Sequence, residues 1–386
     1  MAFSIIKNHD IGGIGVPFML DEEMQSMTNI KVLGVGGGGG NAVNRMVRAG
    51  LQGVEFVALN TDQQALYNSR ATLKVQLGKK LTEGRGAGSN PEIGQRSAEE
   101  SRDEIANVLK GTQMAFITAG MGGGTGTGAA PIIASIAKEL GILTIGIVTK
   151  PFAFEGKRKM QHAEQGIAAL LEQVDSLIII PNERLKMVST ERITMANAFE
   201  EADNVLRQGV ESISELINVP AFINLDFADV RTVMKGAGYA HMGVGSAKGS
   251  AKAEVAAKAA VNSPLLETSI DGATGLIINI TASQDIGMDE VEEASGIVTE
   301  FTNPDANIIW GTAFDETMQD EMRITVIATG FDHKTAINVP EGVGYGQYSY
   351  TPSPVIEPQA TEPEKKDEED DGIDLDELIR ILGNRQ

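Results

Sequence analysis

Glycine-rich segments and a pair of aspartates are the parts of this sequence whose residue types could do chemistry. The segment AGMGGGTGTGAA, residues 119–130, has glycine at half of its twelve positions and carries no charge. An ordered glycine loses more conformational entropy than any other residue. So many glycines in one place therefore indicate a loop whose backbone amides come close to an anion, and a flexible connector is the alternative.

Another glycine loop comes earlier in the chain. Gly34, Gly36 and Gly39 have the G-x-G-x-x-G spacing between an apolar strand and a helix, which is typical of dinucleotide-binding folds. This loop alone is compatible with NAD, and Asp62, just past the next strand, could then bind the ribose. Two glycine loops on one sheet favour a nucleoside triphosphate, because two helix N-termini can bind more phosphate oxygens than one.

The phosphate charge must be balanced without a P-loop lysine, since the sequence contains no G-x-x-x-x-G-K-[ST] motif. What remains are backbone amides, helix dipoles of about 0.3 to 1 kcal/mol each, the hydroxyls of Thr125 and Thr127, and a Mg²⁺ ion that arrives with the nucleotide. We assign no residue of the chain as a metal ligand. A tight turn with close helix packing is the alternative interpretation of each loop.

Asp226 and Asp229 stand three residues apart at the start of an apparent helix, in NLDFADVRTVM. The sequence alone favours a helix N-cap followed by a second acid in the first turn. The alternative is a carboxylate pair that orients a water molecule for attack on phosphorus, with Asn224 assisting. A preceding helix of about 25 residues, near 37 Å long, separates the pair from the glycine loops. The acids could then reach a nucleotide only if another copy of the protein brought them there.

Alternating strands and helices must position these residues. The apolar segments IKVLGVG, VEFVALN, MAFITAG and ILTIGIVT alternate with the helical patterns NAVNRMVRAG and APIIASIAKELG. Such alternation predicts an α/β fold with a Rossmann-type parallel sheet covered on both faces. A long amphipathic helix then leads to three strands and one helix, which predict a smaller α+β domain.

Composition limits the function of this chain of 386 residues. A hydrophobic fraction of 42% is sufficient for real cores, and zero cysteines exclude disulfides and thiolate metal sites, as is typical of a reducing cytoplasm. The net charge of −21 argues against a nucleic-acid partner bound through a basic face. The apolar segment 11–20 lacks a cleavage site, and the uncharged segment 111–137 is interrupted by glycine and proline. We therefore expect neither a signal peptide nor membrane insertion.

The chain changes character after residue 330. Residues 331–371 are rich in acidic residues and proline, which predicts a disordered linker. In the final segment IDLDELIRIL, Leu375, Leu378, Ile379 and Leu382 share one face of a short helix. Because so short a helix is marginal alone in water, we expect it to order on a partner. An unstructured tail with chance spacing is the alternative.

Six motifs together resemble the FtsZ family of tubulin-like GTPases of bacterial cell division. They occur in order between residues 29 and 330: GVGGGGGNAVNRM, GRGAGSNPEIG, AGMGGGTGTGAAP, PFAFEG, EADNVLRQGV and NLDFADV. The resemblance implies a tubulin-like GTPase domain joined by a central helix to the α+β domain. It also implies that Asn224, Asp226 and Asp229 enter the nucleotide site of the neighbouring subunit. GTP would then be hydrolysed to GDP in trans within a head-to-tail filament.

The resemblance further implies a set of nucleotide-binding residues. Those along the phosphates are Gly37, Gly38, Gly39, Gly40 and Asn41. Those near the γ-phosphate are Ala87, Gly88, Gly124, Thr125 and Gly126. Those at the ribose and the guanine base are Glu155, Lys159, Asn182, Phe199 and Asp203. Lys159 stands where the family usually has an arginine, and it keeps the charge but lacks the planar fork.

On this resemblance the chain divides into six parts. They are an N-terminal extension (1–28), a nucleotide-binding domain (29–193), a central helix (194–218), a C-terminal α+β domain (219–330), the linker (331–371) and a partner-binding peptide (372–386). Residues 374–382 correspond to the family peptide that binds membrane-tethering division adaptors, with Asp376 and Leu378 replacing the usual proline and phenylalanine. The implied protein is cytoplasmic and acts at the mid-cell division site.

Two other functions remain open. A nicotinamide-dependent oxidoreductase could use the first glycine loop, but the histidines give little support for a proton relay. Of the four, His9 and His333 lie outside the main body of the chain, and His162 and His241 have no obvious acid partner. A tubulin-like protein that partitions plasmids or shapes cells would share the mechanism and differ only in biology.

Overall fold

A computed structural model describes residues 28–331, with gaps at 189–193, 195–196, 219–224, 267–269, 271, 284–285 and 316–317. The predictions for residues 1–27, for the segment after 331 and for Asn224 therefore lie outside the described residues.

The first half of the chain forms a parallel sheet, as the apolar segments predict. Its strands are β1 (Ile30–Val35), β2 (Glu55–Asn60), β3 (Leu73–Gln76), β4 (Met114–Gly120), β5 (Leu143–Lys150) and β6 (Ser176–Pro181). They lie in the order β3-β2-β1-β4-β5-β6, so the order reverses direction between β1 and β4. Strand β3 has no counterpart in the sequence analysis, because it is only four residues long and mixes polar with apolar side chains.

Helices cover both faces of this sheet. They are α1 (Gly36–Ala49), α2 (Gln63–Tyr67), α3 (Lys79–Thr82), α4 (Pro91–Glu100), α5 (Arg102–Leu109), α6 (Thr125–Glu139), α7 (Lys157–Leu171) and α8 (Leu185–Val188). Val32 belongs to a core cluster with residues of α1, whereas Leu33, which follows it, belongs to a second cluster with residues of α5 and α6. Successive side chains of β1 thus enter cores on opposite faces.

The central helix α9 runs from Ala198 to Asn218 and contains 21 residues. At 1.5 Å per residue it is about 32 Å long. Val205, Val210, Ile213 and Leu216, which the sequence places on its apolar face, are all buried. Helix α9 packs in the same core cluster as α1. Among the described residues, no helix is both long and apolar enough to cross a bilayer.

The second half of the chain continues the sheet. Its elements are α10 (Phe227–Met234), β7 (Gly238–Lys248), α11 (Lys252–Val261), β8 (Gly275–Ala282), α12 (Met288–Glu300), β9 (Asn307–Phe314) and β10 (Glu321–Thr329). The first residues of β7 pair in parallel with β6, and the remainder pairs antiparallel with β10. A ten-stranded sheet results, which ends in the order β6-β7-β10-β8-β9.

The α+β part contains one strand and one helix, β7 and α11, that the sequence analysis did not predict. Strand β7 is interrupted by Gly243 and Gly245, which weaken its apolar pattern. A Cβ atom at Gly243 would collide with the carbonyl oxygen of Ala260, and one at Gly245 with that of Ala256. The glycines are therefore needed so that α11 can pack directly on the strand.

Candidate nucleotide-binding site

Both glycine loops lie where a parallel sheet of this kind binds ligands. One follows β1 and the other follows β4, at the carboxyl ends of the two strands between which the strand order reverses. A cavity of about 440 Å³ lies beside the two loops and is also lined by the end of β5 and the N-terminal half of α9. Its volume is within the range of small-molecule sites.

Helix α1 begins at Gly36, immediately after β1. Gly36 has a φ of +72°, and a Cβ atom there would lie 2.8 Å from the amide nitrogen of Gly126 in the other loop. Gly39 faces the sheet, where a Cβ atom would collide with the carbonyl oxygen of Thr118. No side chain caps the helix at Val35. The first-turn amides, which have no intrahelical partners, are available to an anion.

Helix α6 begins at Thr125 and also lacks a side-chain cap, since its N-cap residue is Gly124. The hydroxyl of Thr127 accepts a hydrogen bond from the amide of Gly122 at 2.8 Å, so it stabilises the loop itself. The hydroxyl oxygen of Thr125 lies 2.6 Å from that of Thr61. Of the two hydroxyls proposed for phosphate, only Thr125 belongs to a residue that lines the cavity.

The cavity brings together most of the predicted nucleotide-binding residues. Those that line it are Gly37, Gly38, Asn41, Gly124, Thr125, Gly126, Glu155, Lys159, Asn182, Phe199 and Asp203.

The other four predicted residues lie nearby. Gly39 packs against β4, and Gly40 lines a neighbouring cavity of about 190 Å³. Ala87 is buried against Gly124, and Gly88 is exposed with a φ of +58°.

Three side chains suited to a base converge at the α9 end of the cavity. Asn182 is buried, and its Oδ1 has no hydrogen-bond partner in the described part of the chain. Phe199 is 46% exposed and makes an edge contact with the ring of Phe152, with centroids 5.6 Å apart. Asp203 supplies a carboxylate. An acceptor without a partner, an exposed ring and an acid are what a heterocycle with N–H donors requires.

The acid at this end is electrostatically unusual. Burial raises the pKa of Asp203 to about 6; Arg45 opposes the shift and Glu200 adds to it. The Nε of Arg45 lies 3.9 Å from Oδ2 of Asp203. A carboxyl group that titrates near neutral pH in a cavity indicates a functional site.

Glu155 and Lys159 also line the cavity and form an ion pair. Lys159 Nζ donates to Oε2 of Glu155 at 3.0 Å, and the amide of Phe152 donates to Oε1 at 2.9 Å. Lys159 is therefore directed to Glu155 in this structure. Each carboxylate oxygen retains a second lone pair that can accept from a hydroxyl.

Several lining residues were missed by sequence reasoning. They are Gly120, Met121, Gly123, Thr149, Pro151, Ala202 and Leu206. Thr149 and Pro151 lie at the carboxyl end of β5, and the rule that ligands bind at that edge of a parallel sheet could have found them. Ala202 and Leu206 lie three and seven residues after Phe199, on the same helix face, and their apolar side chains were assigned to the core.

Asp226 and Asp229 lie away from this cavity. Both are exposed, and Asp226 is at the N-cap position of α10 without making a side-chain cap hydrogen bond. The preceding residue, Leu225, donates through its amide to the carbonyl of Leu216 at 2.9 Å, near the C-terminal end of α9. Ala202 of the cavity and Leu216 are separated by about 21 Å of helix.

Helix α9 ends at the opposite edge of the sheet from the glycine loops. The side-chain amide of Asn218 donates to the carbonyls of Thr28 and Gly53, at 2.9 and 2.6 Å. These residues precede β1 and β2, at the amino ends of the strands. In the described ranges, no group of three or more His, Asp or Glu side chains could hold a metal ion.

Two uncapped helix N-termini at the point of strand-order reversal, a cavity that extends to a central helix and a following α+β part define a nucleotide-binding protein with a tubulin-like fold. Comparisons with known proteins agree. The family model for the Tubulin/FtsZ family GTPase domain matches residues 29–190, and that for the FtsZ family C-terminal domain matches residues 238–332.

Solved structures give the same result. An FtsZ dimer from M. jannaschii is 42% identical, with a TM-score of 0.77 over 79% of this chain and 89% of that chain. A mutant FtsZ from M. jannaschii matches at 42% identity and a TM-score of 0.77, over 80% of this chain and 92% of that chain. The chain belongs to the FtsZ family.

A more distant structure shares the fold alone. It is a GTPγS-bound protofilament of CetZ2 from Haloferax volcanii, which is 21% identical with a TM-score of 0.66, over 79% of this chain and 94% of that chain. The predicted fold class and family are thus confirmed, and nothing in the comparisons supports the oxidoreductase alternative.

Proposed function

We propose that this GTP-dependent, filament-forming member of the FtsZ family is a cell-division protein that completes its active site between subunits. The observation that carries the proposal is the position of the acids. The cavity lies along the N-terminal half of α9, whereas Asp226 follows Leu225 near the other end of that helix. This separation supports a site in which Asp226 and Asp229 are supplied by another subunit.

GTP would bind with its phosphates at the N-termini of α1 and α6 and its base near α9. The ionised carboxylate of Asp203 would accept from the N1–H and N2–H groups of guanine. Adenine presents a lone pair at N1, so it would be repelled. Phe199 would stack on the base, the unpartnered Oδ1 of Asn182 would accept a further donor, and Glu155 would hold the ribose. Mg²⁺ would accompany the phosphates.

Hydrolysis would be completed in trans. Asp226 and Asp229 of one subunit, assisted by Asn224, would approach the γ-phosphate held by the next subunit. Their exposed carboxylates can accept the protons of a water molecule and direct its oxygen at phosphorus. A contact between the cavity of one copy and the α10 end of another is heterologous, so it builds a filament rather than a closed dimer. Loss of the γ-phosphate would weaken this contact.

We also propose the remaining parts of the assignment. The nucleotide-binding domain would span 29–193, the central helix 194–218 and the α+β domain 219–330. The acidic segment 331–371 would act as a linker to the adaptor-binding peptide 372–386, which favours a division protein at mid-cell over a plasmid-partitioning one.

The dependence of GTP turnover on protein concentration tests this function. With Mg²⁺ present, we expect turnover per chain to fall steeply on dilution below the concentration at which filaments form, because the nucleotide of an isolated subunit has no acids of a neighbouring subunit beside it. Light scattering measured in parallel reports the filaments. A turnover per chain that stays constant down to very dilute protein contradicts a shared site.

A further inference from the structure

Thr61 joins two loops of the candidate site that are far apart in the sequence. It follows β2 and is fully buried, and its hydroxyl oxygen lies 2.6 Å from that of Thr125, the first residue of α6. Thr125 lines the nucleotide cavity. Two hydroxyl oxygens at this distance share a hydrogen bond, in which one of them donates.

The main chain of Thr61 also holds the loop that follows α3. Its carbonyl accepts from the amide of Gly86 at 3.2 Å and from the hydroxyl of Thr82 at 3.2 Å. The same loop touches the second glycine loop, since a Cβ atom at Gly124 would lie 2.8 Å from the Cβ of Ala87. Thr61 therefore forms hydrogen bonds to both loops, through its hydroxyl to the second glycine loop and through its carbonyl to the loop that follows α3.

The loop that follows α3 has a strained backbone. Glu83 and Ser89 have positive φ angles of 52° and 60°, although neither is glycine, and Gly84, Gly86 and Gly88 between them are also positive. Such conformations persist only where surrounding structure holds them, and they cluster at ligand-binding sites. The hydrogen bonds to Thr61 are part of what holds this loop.

A phosphate group in the cavity would determine which of the two hydroxyls donates the hydrogen bond between them. A threonine hydroxyl has one proton and two lone pairs, whereas a phosphate oxygen only accepts. If Thr125 donated to Thr61, it would present only lone pairs to the phosphate, and the two would repel. If Thr61 donates instead, the proton of Thr125 is free to form a charge-assisted hydrogen bond with the phosphate.

We propose that Thr61 is a positioning residue of the GTP site. It donates to Thr125, which then donates to a phosphate oxygen, and it holds residues 83–90 against the second glycine loop. The inference rests on the proposed function and deepens it, because the family resemblance implies that Thr125 and residues 87–88 lie near the γ-phosphate but gives Thr61 no role. Since Thr61 acts at that end of the nucleotide, its loss weakens binding of GTP more than binding of GDP.

The test compares the dissociation constants of GTP and GDP, with Mg²⁺, for the full chain and for Thr61→Val, which removes the hydroxyl and keeps the shape. We expect the constant for GTP to rise about tenfold, because without Thr61 the hydroxyl of Thr125 is no longer oriented for its hydrogen bond to the charged phosphate, and that for GDP to rise much less. Thr61→Ser, which keeps the hydroxyl, should restore the GTP preference. The control is Thr112→Val, because Thr112 is buried and its hydroxyl has no described partner. It should bind both nucleotides normally.

A second pair of variants keeps the inference testable if Thr61→Val does not fold. Thr125→Val should lose GTP selectively, and the double variant should bind GTP no more weakly than Thr125→Val alone, because the two hydroxyls act in series. An unchanged GTP-to-GDP ratio in either single variant, or additive losses in the double variant, would overturn the inference. If the unmodified chain binds no GTP, it is the proposed function that fails.

Discussion

Asp203 is a residue whose proposed function is unfavourable for the stability of the fold. Burial raises its pKa from 3.8 to about 6, so the folded state binds a proton more tightly than the unfolded chain does. Its contribution to stability is therefore present at low pH and is lost as the pH rises through about 6. A buried acid that is ionised at neutral pH is unfavourable for folding, but the ionised form is the one that, in the proposed site, would accept from guanine.

Asp203→Asn should therefore separate stability from binding. At pH 7.5 we expect the variant to have a higher melting temperature than the unmodified chain, because the ionised group is no longer buried. We expect its GTP affinity to fall by tenfold or more, roughly as for a hydrogen bond to a charged group. Thermal unfolding without nucleotide and a GTP titration measure the two effects.

The pH dependence of GTP affinity provides the internal control for Asp203→Asn. GTP affinity of the unmodified chain should decrease as the pH falls through about 6, whereas that of Asp203→Asn should not change there. The same pH dependence in both proteins would remove Asp203 from the base site.

Asp229 is exposed and lies in the first turn of α10, so its removal should not disturb the fold. We expect Asp229→Ala to bind GTP and to polymerise, as seen by sedimentation, while its GTP turnover falls by about a hundredfold or more, as for the loss of a general base. Asp103→Ala, an exposed acid in the first turn of α5, is the matched control. Normal turnover by Asp229→Ala would mean that the acid assignment is wrong.

At the scale of helices and strands, the sequence predicts the features that depend on local residue patterns. The apolar runs of β1, β4 and β5 identify the parallel sheet, and the two glycine loops mark its ligand edge. The proposed base-binding end of the cavity could not be derived in this way, because Asn182 follows β6 whereas Phe199 and Asp203 lie on α9, and the two elements meet only in the folded chain. Their assignment came from the family resemblance. The sequence did not predict strand β7, because its glycines, which allow close packing against α11, interrupt its apolar pattern.

Strand β7 also offers a test of packing. Gly243→Ala should lower the free energy of unfolding by about 1 to 3 kcal/mol, because the added methyl group overpacks the contact with α11. Gly296→Ala is the control: it lies within α12, where a Cβ atom has open space, and it should raise stability by about 0.5 to 1 kcal/mol. Urea unfolding measures both. Equal stability of Gly243→Ala and the unmodified chain would contradict the close contact of β7 and α11.

At the scale of the whole molecule, α9 separates the two parts of the proposed active site. The cavity at one end lies beside the uncapped N-termini of α1 and α6, and exposed acids lie beyond the other end. Sequence reasoning anticipated this separation, because a long helix lies between the motifs. No pattern within one chain could show whether the two ends meet in a filament, since such a contact would join different molecules.

Mixing two inactive variants tests this central claim most directly. Gly37 lines the cavity, and a Cβ atom there meets no other atom within 4 Å. Gly37→Asp should therefore fold normally and exclude GTP by charge repulsion, whereas Gly37→Ala should bind it. Gly37→Asp keeps the acids but lacks nucleotide, and Asp229→Ala binds nucleotide but lacks the acid.

Each variant alone should hydrolyse little GTP. In an equal mixture, the nucleotide of one variant meets the acids of the other at roughly a quarter of random head-to-tail contacts, so GTP turnover should recover to about that fraction of normal. A mixture that is no more active than the sum of its two components would contradict an active site shared between subunits.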